Sequence, residues 1–507
     1  MEVRRYGTRA LLISPREVAP LIDHPGVVEV VPGAETVLVV VRDADAVDSV
    51  GDSVEALEAG NVRSDVADDS GREVVLDVVY DGEDLADVAA ASGLSVESVI
   101  ALHSGALYRC DFCGFAPGFA YLSGLDARLQ LPRRATPRTS VPSGAVAIAG
   151  AYTAAYPSAS PGGWHLIGRT AALLWDLADD PPALIPPGTT VRFRARVARS
   201  GRPTAPKTDR RPPRRGTGPE AAQNGNPVLR VITVGVATSL QDRGRAGYAH
   251  LAVPGSGALD RRSADLVNRL VGNPPDAAAL ETAGGLVLEA IAPATVADST
   301  TGAVQALRPG MTISVDPAPG ESWAYLAVRG GFEGQHALGS RSWDGLSKLG
   351  PPPPEPGDTL TAGSDPATPV ATDQAPHPPA QQAIVVNVSV GPRADWFAPD
   401  AMDQLTTTAW TVSATSRVGL RLTGQALTRT RTEELPSEGL VLGAIQVPPD
   451  GQPVVMLADH PTTGGYPVLA VVDDDDIGRL VQRPPGSTVR FRPIDQVGTR
   501  ATCSVSP

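Results

Sequence analysis

The stretch GFAPGFAYLSGLDARLQLPRRATPRTSVPSGAVAIAGAYTAAYPSASPGGWHLIGRT at residues 114–170 decides the fold class. Glycine and proline interrupt it every few residues, so its apolar pairs are too short for helices and predict short β-strands joined by shaped loops. Glycine allows close backbone approach, proline fixes loop geometry, and Arg133, Arg134, Arg138 and Arg169 offer planar donor forks. The stretch indicates either a binding surface for a planar anion or a β-barrel with tight corners and surface arginines.

Composition places the chain among globular proteins and argues against one class of partner. Its 507 residues suffice for three or four domains, and 42% hydrophobic with 20% charged residues is typical of a soluble protein. The 52 glycines and 49 prolines favour turns and short strands over long helices. The formal net charge of -13 argues against nucleic acid as a partner, because no basic footprint contacts phosphates.

The N-terminal segment bears on location. MEVRRYGTRALLIS carries basic residues, but its apolar run is too short for a signal core, and no apolar stretch reaches the roughly 18 residues of a membrane span. We therefore expect a cytoplasmic protein that does not contact a membrane.

Lysine is nearly absent, since Lys207 and Lys348 are the only two in the sequence. A P-loop needs Gly-Lys-Ser/Thr, a biotin carrier needs a modifiable lysine in a Met-Lys-Met turn, and an amidase-signature triad needs a catalytic lysine. The local strings APKT and LSKLG match none of these, so we expect none of these activities and no covalently bound biotin.

Two features superficially resemble metal sites. Cys110 and Cys113 form a CDFC pair, but with Cys503 the cysteines are too few for a disulfide scaffold, and no second CxxC or HxxxH completes a metal site. We predict buried thiols, with a redox or half-zinc motif as the alternative. The four aspartates at 473–476 predict a solvated loop rather than a Mg²⁺ site, because adjacent side chains on an extended segment diverge. We predict no metal site.

The first segment of the chain mixes strands and helices. Strands are predicted at residues 10–13, 37–41 and 74–80, and a charged helix at 43–60. This order fits an α+β domain of ferredoxin type. Two short helices follow, one at 84–92 that ends at Gly93 and one at 96–103 that Ser95 caps.

The remaining chain alternates β modules with Pro-rich connections. We predict an N-terminal α+β domain at 1–85, β modules at 86–200, 228–362 and 384–507, a linker at 201–227 and a connecting loop at 363–383. An internal echo links the modules, because PPGTTVRFRAR at 186–196 parallels PPGSTVRFRP at 484–493, and PGDTL at 356–360 is a weaker third version. Similar barrels are therefore expected to recur.

Long motifs cover nearly the whole chain outside its linkers. The first set is HPGVVEVVPGA at 24–34, GFAPGFAYL at 114–122, PRRATPRTSVPSGAVAIAG at 132–150 and SPGGWHLIGRT at 160–170. The second set is TSLQDRGRAGYAHLAVPGSGALD at 238–260, NRLVGNPPDAAALE at 268–281, GSRSWD at 339–344, ELPSEGL at 434–440, GAIQVPPDGQPVVMLADHPTTGGYP at 443–467 and RPPGSTVRF at 483–491. Through the first set, residues 1–200 resemble the allophanate hydrolase subunit 1 family, whose members are also called 5-oxoprolinase B subunits. Through the second, residues 228–500 resemble the allophanate hydrolase subunit 2 family, or 5-oxoprolinase C subunits.

The resemblance implies a mainly β fold with α+β parts. It implies cyclophilin-like β-barrels, one in the first half behind the ferredoxin-like N-terminal domain and two in the second half. One departure is Ser416-Arg417-Val418-Gly419, where the family has Ser-Asn-Arg-Met-Gly, so the asparagine is missing from this turn.

The resemblance also implies a function. It points to fused B and C subunits of an ATP-dependent 5-oxoprolinase, which hydrolyses the lactam of 5-oxoproline to glutamate together with a separate LamB/YcsF-like A subunit. ATP with Mg²⁺ is the implied cofactor, and an oligomer is expected. Two alternatives stay open. One is a biotin-dependent carboxyltransferase or allophanate hydrolase-like enzyme acting on urea-type amides, and the other is a histidine-kinase inhibitor.

Urea, allophanate and 5-oxoproline share a planar N–C=O unit, which needs donors at the carbonyl oxygen and an acceptor for the N–H proton. In the first half we predict His165 as the catalytic proton carrier, with Trp164 walling the pocket and a purely structural histidine as the alternative. The predicted substrate-binding residues there are Arg138, Thr139, Ser143, Gly144, Gly162, Gly163 and Arg169.

In the second half, Asp242 and Glu438 are the predicted catalytic residues. Asp242 could equally brace Arg245 in an ion pair. A Thr-Thr-Gly-Gly loop can hold a carboxylate or phosphate without lysine, although a simple β-turn is the alternative. The predicted substrate-binding residues are Gln241, Arg245, Ser256, Asp260, Arg341, Thr462, Thr463, Gly464, Gly465 and Tyr466, and Asn268 and Glu281 supply further polar groups.

Overall fold

The computed structural model describes residues 2–14, 24–58, 72–197, 225–370, 372, 374–375 and 383–494. Most of the predicted linker at 201–227 and part of the connecting loop at 363–383 lie outside the described residues. The described chain is mostly β-structure with few helices, which confirms the predicted fold class.

Residues 2–58 form a four-stranded antiparallel sheet in the order β1-β2-β4-β3, with one helix packed on it. Apolar residues alternate onto the helix side, where Leu11, Val39 and Val50 are buried together. The elements are β1 (Glu2–Arg5), β2 (Ala10–Ser14), β3 (Val27–Pro32), β4 (Val37–Val41) and α1 (Ala44–Glu58).

The first half continues as a closed seven-stranded barrel in the order β13-β6-β7-β10-β9-β12-β5. The predicted caps are confirmed, because Ser95 accepts a hydrogen bond from the Ser98 N–H and Gly93 adopts a left-handed φ of 67°. The strand predicted at 74–80 belongs to this barrel rather than to the N-terminal domain, because it pairs in parallel with the last barrel strand. The elements are β5 (Glu73–Val79), α2 (Leu85–Ser92), α3 (Val96–Gly105), β6 (Leu107–Cys113), β7 (Ala120–Ser123), β8 (Arg138–Val141), β9 (Ala145–Ala149), β10 (Tyr152–Ala155), β11 (Ser160–Gly162), β12 (His165–Thr170) and β13 (Thr190–Arg196), of which β8 and β11 form a separate ribbon.

The middle module differs from its prediction as a closed barrel. It consists of two sheets, β20-β17-β14-β22 and β15-β16-β21-β18-β19. Its last strand pairs antiparallel with its first, whereas the closed barrels join first and last strands in parallel. The elements are β14 (Asn226–Val234), β15 (Ser239–Gln241), α4 (Arg261–Leu270), β16 (Ala279–Thr282), β17 (Leu286–Ala290), β18 (Ala294–Asp298), β19 (Ala303–Leu307), β20 (Thr312–Val315), β21 (Ala324–Val328) and β22 (Thr359–Ala362).

The last module is a second closed seven-stranded barrel, β31-β24-β25-β28-β27-β30-β23, with a ribbon of β26 and β29. Its strand order repeats that of the first barrel, which confirms the recurrence that the sequence echo predicts. In the two strands that carry the repeated VRF string, residues 190–196 and 488–493, the valine and phenylalanine are buried and the arginines are exposed. The elements are β23 (Ala383–Val390), α5 (Ala401–Thr407), β24 (Trp410–Thr415), β25 (Gly419–Thr423), β26 (Glu438–Gly439), β27 (Ala444–Gln446), β28 (Val454–Met456), β29 (Thr463–Gly464), β30 (Val468–Val472), α6 (Asp474–Val481) and β31 (Thr488–Pro493), and one-turn 3-10 helices lie at Ala127–Leu129, Ala249–Leu251 and Ala394–Trp396.

Two local predictions have clear outcomes. Cys110 and Cys113 are buried free thiols, as predicted. The aspartate run at 473–476 is not a solvated loop, because Asp473 caps α6 by accepting from the Asp475 N–H, and the buried Asp476 accepts from the Asn387 N–H at 2.8 Å. Carboxylates in the first turn are stabilised by the positive end of the helix dipole, which explains why a charged run starts a helix here.

The modules pack on one another through shared apolar cores. One core joins α4 and the middle sheets to the last barrel, and another joins the N-terminal sheet to the same barrel. Glycines permit close approach between the halves. A methyl group on Gly33 would lie 2.6 Å from the Ser437 carbonyl oxygen, and one on Gly439 would lie 2.5 Å from Leu38.

Among the described residues, no single helix has the length and apolar character needed to cross a membrane. The bent pair α2 and α3 passes that test together, by length and composition only.

Candidate functional site

A cavity of about 350 Å³ lies where the N-terminal sheet, the middle module and the last barrel meet. We call it the central cavity. Its charged and polar wall residues come from all three parts of the chain: Arg9, Glu29 and Arg42 from the first, Arg243, Arg245 and Arg261 from the second, and His460, Thr462 and Asp474 from the third. Five arginines against two carboxylates give the wall an excess of positive charge, which favours an anionic ligand.

Glu29 lies on β3 within the HPGVVEVVPGA motif. One carboxyl oxygen, Oε1, accepts a hydrogen bond from the Gly247 N–H at 2.8 Å, so this contact also ties the N-terminal sheet to the middle module. Burial raises the pKa of Glu29 to about 7, although the hydrogen bond from Gly247 opposes the shift. A carboxyl group with such a pKa can donate and accept protons near neutral pH.

His460 faces the same cavity from the ADHPTTGGYP motif. Its Nδ1 lies 2.8 Å from the Pro461 carbonyl oxygen. Because a carbonyl oxygen can only accept, Nδ1 carries the proton and Nε2 presents a lone pair. Burial also lowers the pKa of His460, which favours the neutral ring. The cavity therefore brings together a protonatable carboxyl group and a neutral imidazole.

Two of the predicted binding residues, Arg245 and Thr462, line the central cavity. Arg245 is buried; its Nε donates to the Ala337 carbonyl at 3.2 Å and its Nη2 to the Ser342 carbonyl, and burial lowers its pKa. Its Nη1 and the Thr462 Oγ1 are buried and have no hydrogen-bond partner among the residues that the structure describes. The cavity wall thus retains unused hydrogen-bonding capacity, which native proteins rarely leave unsatisfied.

Behind the cavity, Arg417 is the centre of a buried ionic network. Its Nε and Nη2 donate to Asp459 at 2.9 Å each, its Nη1 pairs with Glu281, and its Nη2 also donates to the Gly257 carbonyl at 2.8 Å. Burial opposes the charge of Arg417, but the attraction of Glu281 and Asp459 outweighs it and raises the pKa of Arg417. Arg417 therefore fixes the segment that carries His460, and it occupies the turn where the family asparagine is missing.

Other predicted residues of the second half belong to this network or its surroundings. Gln241 accepts from Arg417 at 3.2 Å, and Ser256 donates to Asp459 at 2.7 Å. Asp260 caps α4 by accepting from the Ser263 N–H.

Asp242 organises a loop rather than pairing with Arg245. Its carboxylate accepts hydrogen bonds from the Gly244 N–H at 2.7 Å, and from the Ser340 hydroxyl, the Arg341 N–H and the Ser342 hydroxyl at 2.6 Å each. Three of these donors bind Oδ1 and one binds Oδ2, so this arrangement fixes the GSRS loop. The side chain of Arg341 pairs with Glu333.

A second cavity of about 450 Å³ opens between the first barrel and the segment at 434–437. Its wall contains four aromatic side chains, those of Phe112, Tyr121, Tyr152 and Trp164. We call it the aromatic cavity. Phe112 stacks on Tyr121 with ring centroids 4.2 Å apart, and at the rim Arg133 pairs with Glu434 at 3.2 Å.

A smaller cavity of about 160 Å³ shares Tyr121, Arg133 and Trp164 with the aromatic cavity, and its wall includes Gly162 and Gly163. Trp164 lines both cavities, but His165, whose pocket it was predicted to wall, lines neither of them.

The remaining predicted residues of the first half have structural contacts outside these cavities. Arg138 and its neighbour Arg134 donate to the buried carboxylate of Asp84 at 2.8 and 2.6 Å. The Nε2 of His165 donates to the Pro132 carbonyl at 2.9 Å, and its Nδ1 is buried with no partner in the described part of the chain. Arg169 forms an exposed ion pair with Asp81, Thr139 is exposed, Ser143 donates to the Pro157 carbonyl, and Gly144 has a φ of 80°.

In the last barrel, Glu438 is buried in an ion pair with Arg393 and lines neither cavity. Thr463 lies against Gly114 of the first barrel, where an added methyl group would come within 2.4 Å of the Thr463 Oγ1. Gly464 packs on Leu440 and Gln446, Gly465 lies near the Leu435 carbonyl, and Tyr466 is exposed. The TTGG loop thus forms part of the contact between the halves. In the middle module, Asn268 donates to the Ala277 carbonyl.

Sequence reasoning missed Glu29, Arg261, His460 and Arg417 as site residues. Glu29 and His460 lie inside quoted motifs, and a conspicuous polar residue between apolar neighbours was the available signal at Glu29. Arg261 has no local signal, because its position at the cavity depends on the packing of α4.

The comparisons with known proteins divide the chain into the same two halves. The family model "Carboxyltransferase domain, subdomain C and D" matches residues 16–185, and "Carboxyltransferase domain, subdomain A and B" matches residues 251–493. The chain is 44% identical to the 5-oxoprolinase B subunit of Escherichia coli O157:H7 over 34% of this chain and 80% of that protein. It is 33% identical to the 5-oxoprolinase C subunit of Escherichia coli K12 over 52% of this chain and 90% of that protein. The crystal structure of TTHA0988 is similar over 96% of this chain and 99% of that one, with 32% identity and a TM-score of 0.80.

Proposed function

The chain belongs to the carboxyltransferase-domain family, with one half like the B subunits and one half like the C subunits of 5-oxoprolinases, and on that premise we propose that it is a component of an ATP-dependent 5-oxoprolinase. The observation that supports this proposal most directly is the coverage of 80% of a relative named as a B subunit and 90% of one named as a C subunit. The proposed reaction opens the lactam of 5-oxoproline to glutamate.

A further protein is part of the proposal. The relatives are named as subunits, so the catalytic assembly is proposed to need a LamB/YcsF-like A subunit in addition to this chain. ATP with Mg²⁺ is the proposed cofactor. Among the described residues, no group of three or more His, Cys, Asp or Glu side chains is placed to hold a metal ion, so Mg²⁺ is proposed to arrive with the nucleotide phosphates.

When bound, ATP would supply a phosphoryl group for the lactam carbonyl oxygen, which makes the ring carbon electrophilic for water.

A carboxyltransferase acting on a urea-type amide is the second candidate, and the description of the matched family models favours it. It would need biotin delivered by another protein, because neither Lys207 nor Lys348 lies in a carrier motif. A histidine-kinase inhibitor is less favoured. In that reading the B-like half would inhibit the kinase and the C-like half would oppose it, but the two halves share buried contacts such as Gly439 with Leu38 and cannot separate.

The experiment that tests the proposal mixes the purified chain with the LamB/YcsF-like protein, ATP, Mg²⁺ and 5-oxoproline and measures glutamate and ADP together. Reactions that lack one component, and a parallel reaction with urea and a carboxylated biotin carrier, are the controls. Glutamate formation in proportion to ADP is the expected result. Product that needs urea and carboxybiotin instead of 5-oxoproline would replace the proposal by the second candidate.

A further inference from the structure

We propose that the central cavity holds a small carboxylate-bearing lactam, with Arg261 binding its carboxylate and with Glu29 and His460 exchanging protons during ring opening. This inference rests on the proposed function and assigns its substrate to one place in the molecule. No sequence motif points to these three residues as a set, because they are separated by hundreds of positions and meet only where three modules pack together.

Arg261 differs from the other cavity arginines in having no hydrogen-bond or ion-pair partner among the described residues. Three of the others are engaged: Arg9 pairs with Asp474, Arg42 donates to the Pro25 carbonyl, and Arg243 pairs with Asp265. Arg245 donates to two carbonyls. Within the part of the chain that the structure describes, Arg261 makes no hydrogen bond or ion pair.

The position of Arg261 makes an anion there favourable. Arg9 and Arg243 lie close enough to repel it, and Asp265 is the attracting carboxylate on its own helix. A ligand carboxylate at this point would accept the guanidinium fork and relieve the repulsion between like charges. The volume of about 350 Å³ suits a small ligand.

Glu29 is held so that one oxygen is fixed and the other is free. Oε1 accepts the Gly247 N–H, and Oε2 has no hydrogen-bond partner among the described residues. The other charged side chains around the cavity are Arg9, Arg42, Arg243, Arg245, Arg261 and Asp474, and Tyr6 and His460 are its other titratable groups. Burial nevertheless keeps the pKa of Glu29 at about 7, so the protonated acid is present at neutral pH.

His460 supplies the complementary function. Its Nδ1–H is committed to the Pro461 carbonyl, so the neutral ring can accept a proton only at Nε2. The Arg417 network anchors the preceding residue, Asp459, which restricts the orientation of this segment. One acid and one base with pKa values shifted by burial form a typical pair for general acid–base catalysis.

The proton balance of the step is complete with a nucleoside triphosphate as co-reactant. The lactam oxygen takes the γ-phosphoryl group and releases the nucleoside diphosphate. Water then adds to the ring carbon and gives a proton to His460 Nε2. The carbon–nitrogen bond breaks as Glu29 gives its proton to the nitrogen, and the hydroxyl group left on the carbon releases its proton to solvent and becomes the carbonyl group of an acyl phosphate. A second water then hydrolyses this acyl phosphate to glutamate and phosphate. Exchange with solvent restores the protons of Glu29 and His460.

The test compares three variants with matched controls in the complete assembly. Glu29→Gln keeps an acceptor for Gly247 but cannot donate a carboxyl proton, His460→Asn keeps a donor for Pro461 but removes Nε2, and Arg261→Met removes only the charge fork. The controls are Glu289→Gln, His336→Asn and Arg262→Met, which lie outside the central cavity. Thermal melting and circular dichroism establish that each variant is folded.

We expect Glu29→Gln and His460→Asn to lower kcat by about 100-fold or more with little change in KM, as loss of a general acid or base does. Wild-type kcat should fall as pH rises through the pKa of Glu29 near 7, and this alkaline limb should be missing in Glu29→Gln. Arg261→Met should raise KM for 5-oxoproline by about 10-fold or more, because a charged hydrogen bond is lost. The controls should retain wild-type values.

The outcomes separate this inference from the proposed function. If the wild-type assembly makes glutamate while Glu29→Gln keeps both its rate and its pH profile, the assignment of the cavity is overturned and the function stands. If the assembly makes no glutamate, the function fails. In that case calorimetry of the chain with 5-oxoproline tests whether the cavity binds the lactam. Binding to wild type that is lost in Arg261→Met would support the inference, and no binding to wild type would overturn it.

Discussion

Arg417 and Asp459 form a two-pronged buried pair in which the Nε–Oδ2 and Nη2–Oδ1 distances are both 2.9 Å. The two side chains are 11% and 2% exposed, so the pair is shielded from water. Arg417 also pairs with Glu281 of the middle module, and one guanidinium therefore joins two modules and supports the segment that carries His460.

Replacing Arg417 should destabilise the protein strongly. Arg417→Met leaves Glu281 and Asp459 buried without compensation, and breaking such a pair costs about 3 to 5 kcal/mol. We expect a clear fall in the melting temperature by circular dichroism. Arg421→Met, at an exposed position of the same barrel, should change stability by less than about 0.5 kcal/mol. Equal melting temperatures for the two variants would show that the network is not stabilising.

The contact between Gly114 and Thr463 should couple the two barrels. Gly114→Ala places a methyl group 2.4 Å from Thr463 Oγ1, and overpacking of this kind costs about 1 to 3 kcal/mol. Adding Thr463→Ala removes the clashing oxygen, so the double variant should recover part of the loss, with a coupling above about 0.5 kcal/mol. Gly51→Ala, in a helix with free space around it, should not destabilise. Strictly additive single changes would contradict the contact.

Asp84 should contribute stability that acid removes. Burial alone would raise its pKa, but hydrogen bonds from Arg138 and the Leu166 N–H, together with the charges of Arg138 and Arg134, outweigh burial and lower it. A lowered carboxyl pKa gives stability that is present above the ordinary value near 4 and is lost as pH falls through the folded-state value.

Asp84→Asn should therefore lose about 2 to 3 kcal/mol at pH 7 and show a flatter melting temperature between pH 5 and pH 2 than wild type. Asp81→Asn, which removes only an exposed ion pair, should cost less than about 1 kcal/mol. Parallel acid profiles for wild type and Asp84→Asn would refute the assignment.

Glu29 should have the opposite pH dependence. Its pKa is raised to about 7, so the folded state holds a proton that the unfolded state has released, and stability falls as pH rises from about 4.5 to 7. Glu29→Gln lacks this titration. Its free energy of unfolding should rise relative to that of wild type between pH 5 and pH 8, by on the order of 3 kcal/mol at most, and its melting temperature should rise with it. A difference that is constant with pH, as expected for Glu289→Gln, would place the Glu29 pKa at its ordinary value.

The barrels and their local details could be predicted from sequence because neighbouring residues encode them. The Pro-Gly turn and the alternating VRF strings indicate a closing strand at residues 190–196 and again at 488–493, and Ser95 and Gly93 mark helix ends through their own backbone preferences. The weaker string at 356–360 predicted a third strand of this kind, but β22 pairs antiparallel with β14 instead of in parallel. This pairing depends on distant strands rather than on the turn itself.

The sequence by itself determined a chain of short strands, repeated barrels and arginine-rich loops, since periodicity and turn chemistry act over a few residues. Only the tertiary structure decided that Glu29, Arg261 and His460 share one cavity while His165, Asp242 and Glu438 are held in structural contacts. The physical reason is that burial and charge proximity, which set both the ligand preference and the pKa values of such groups, arise only when separate modules pack together.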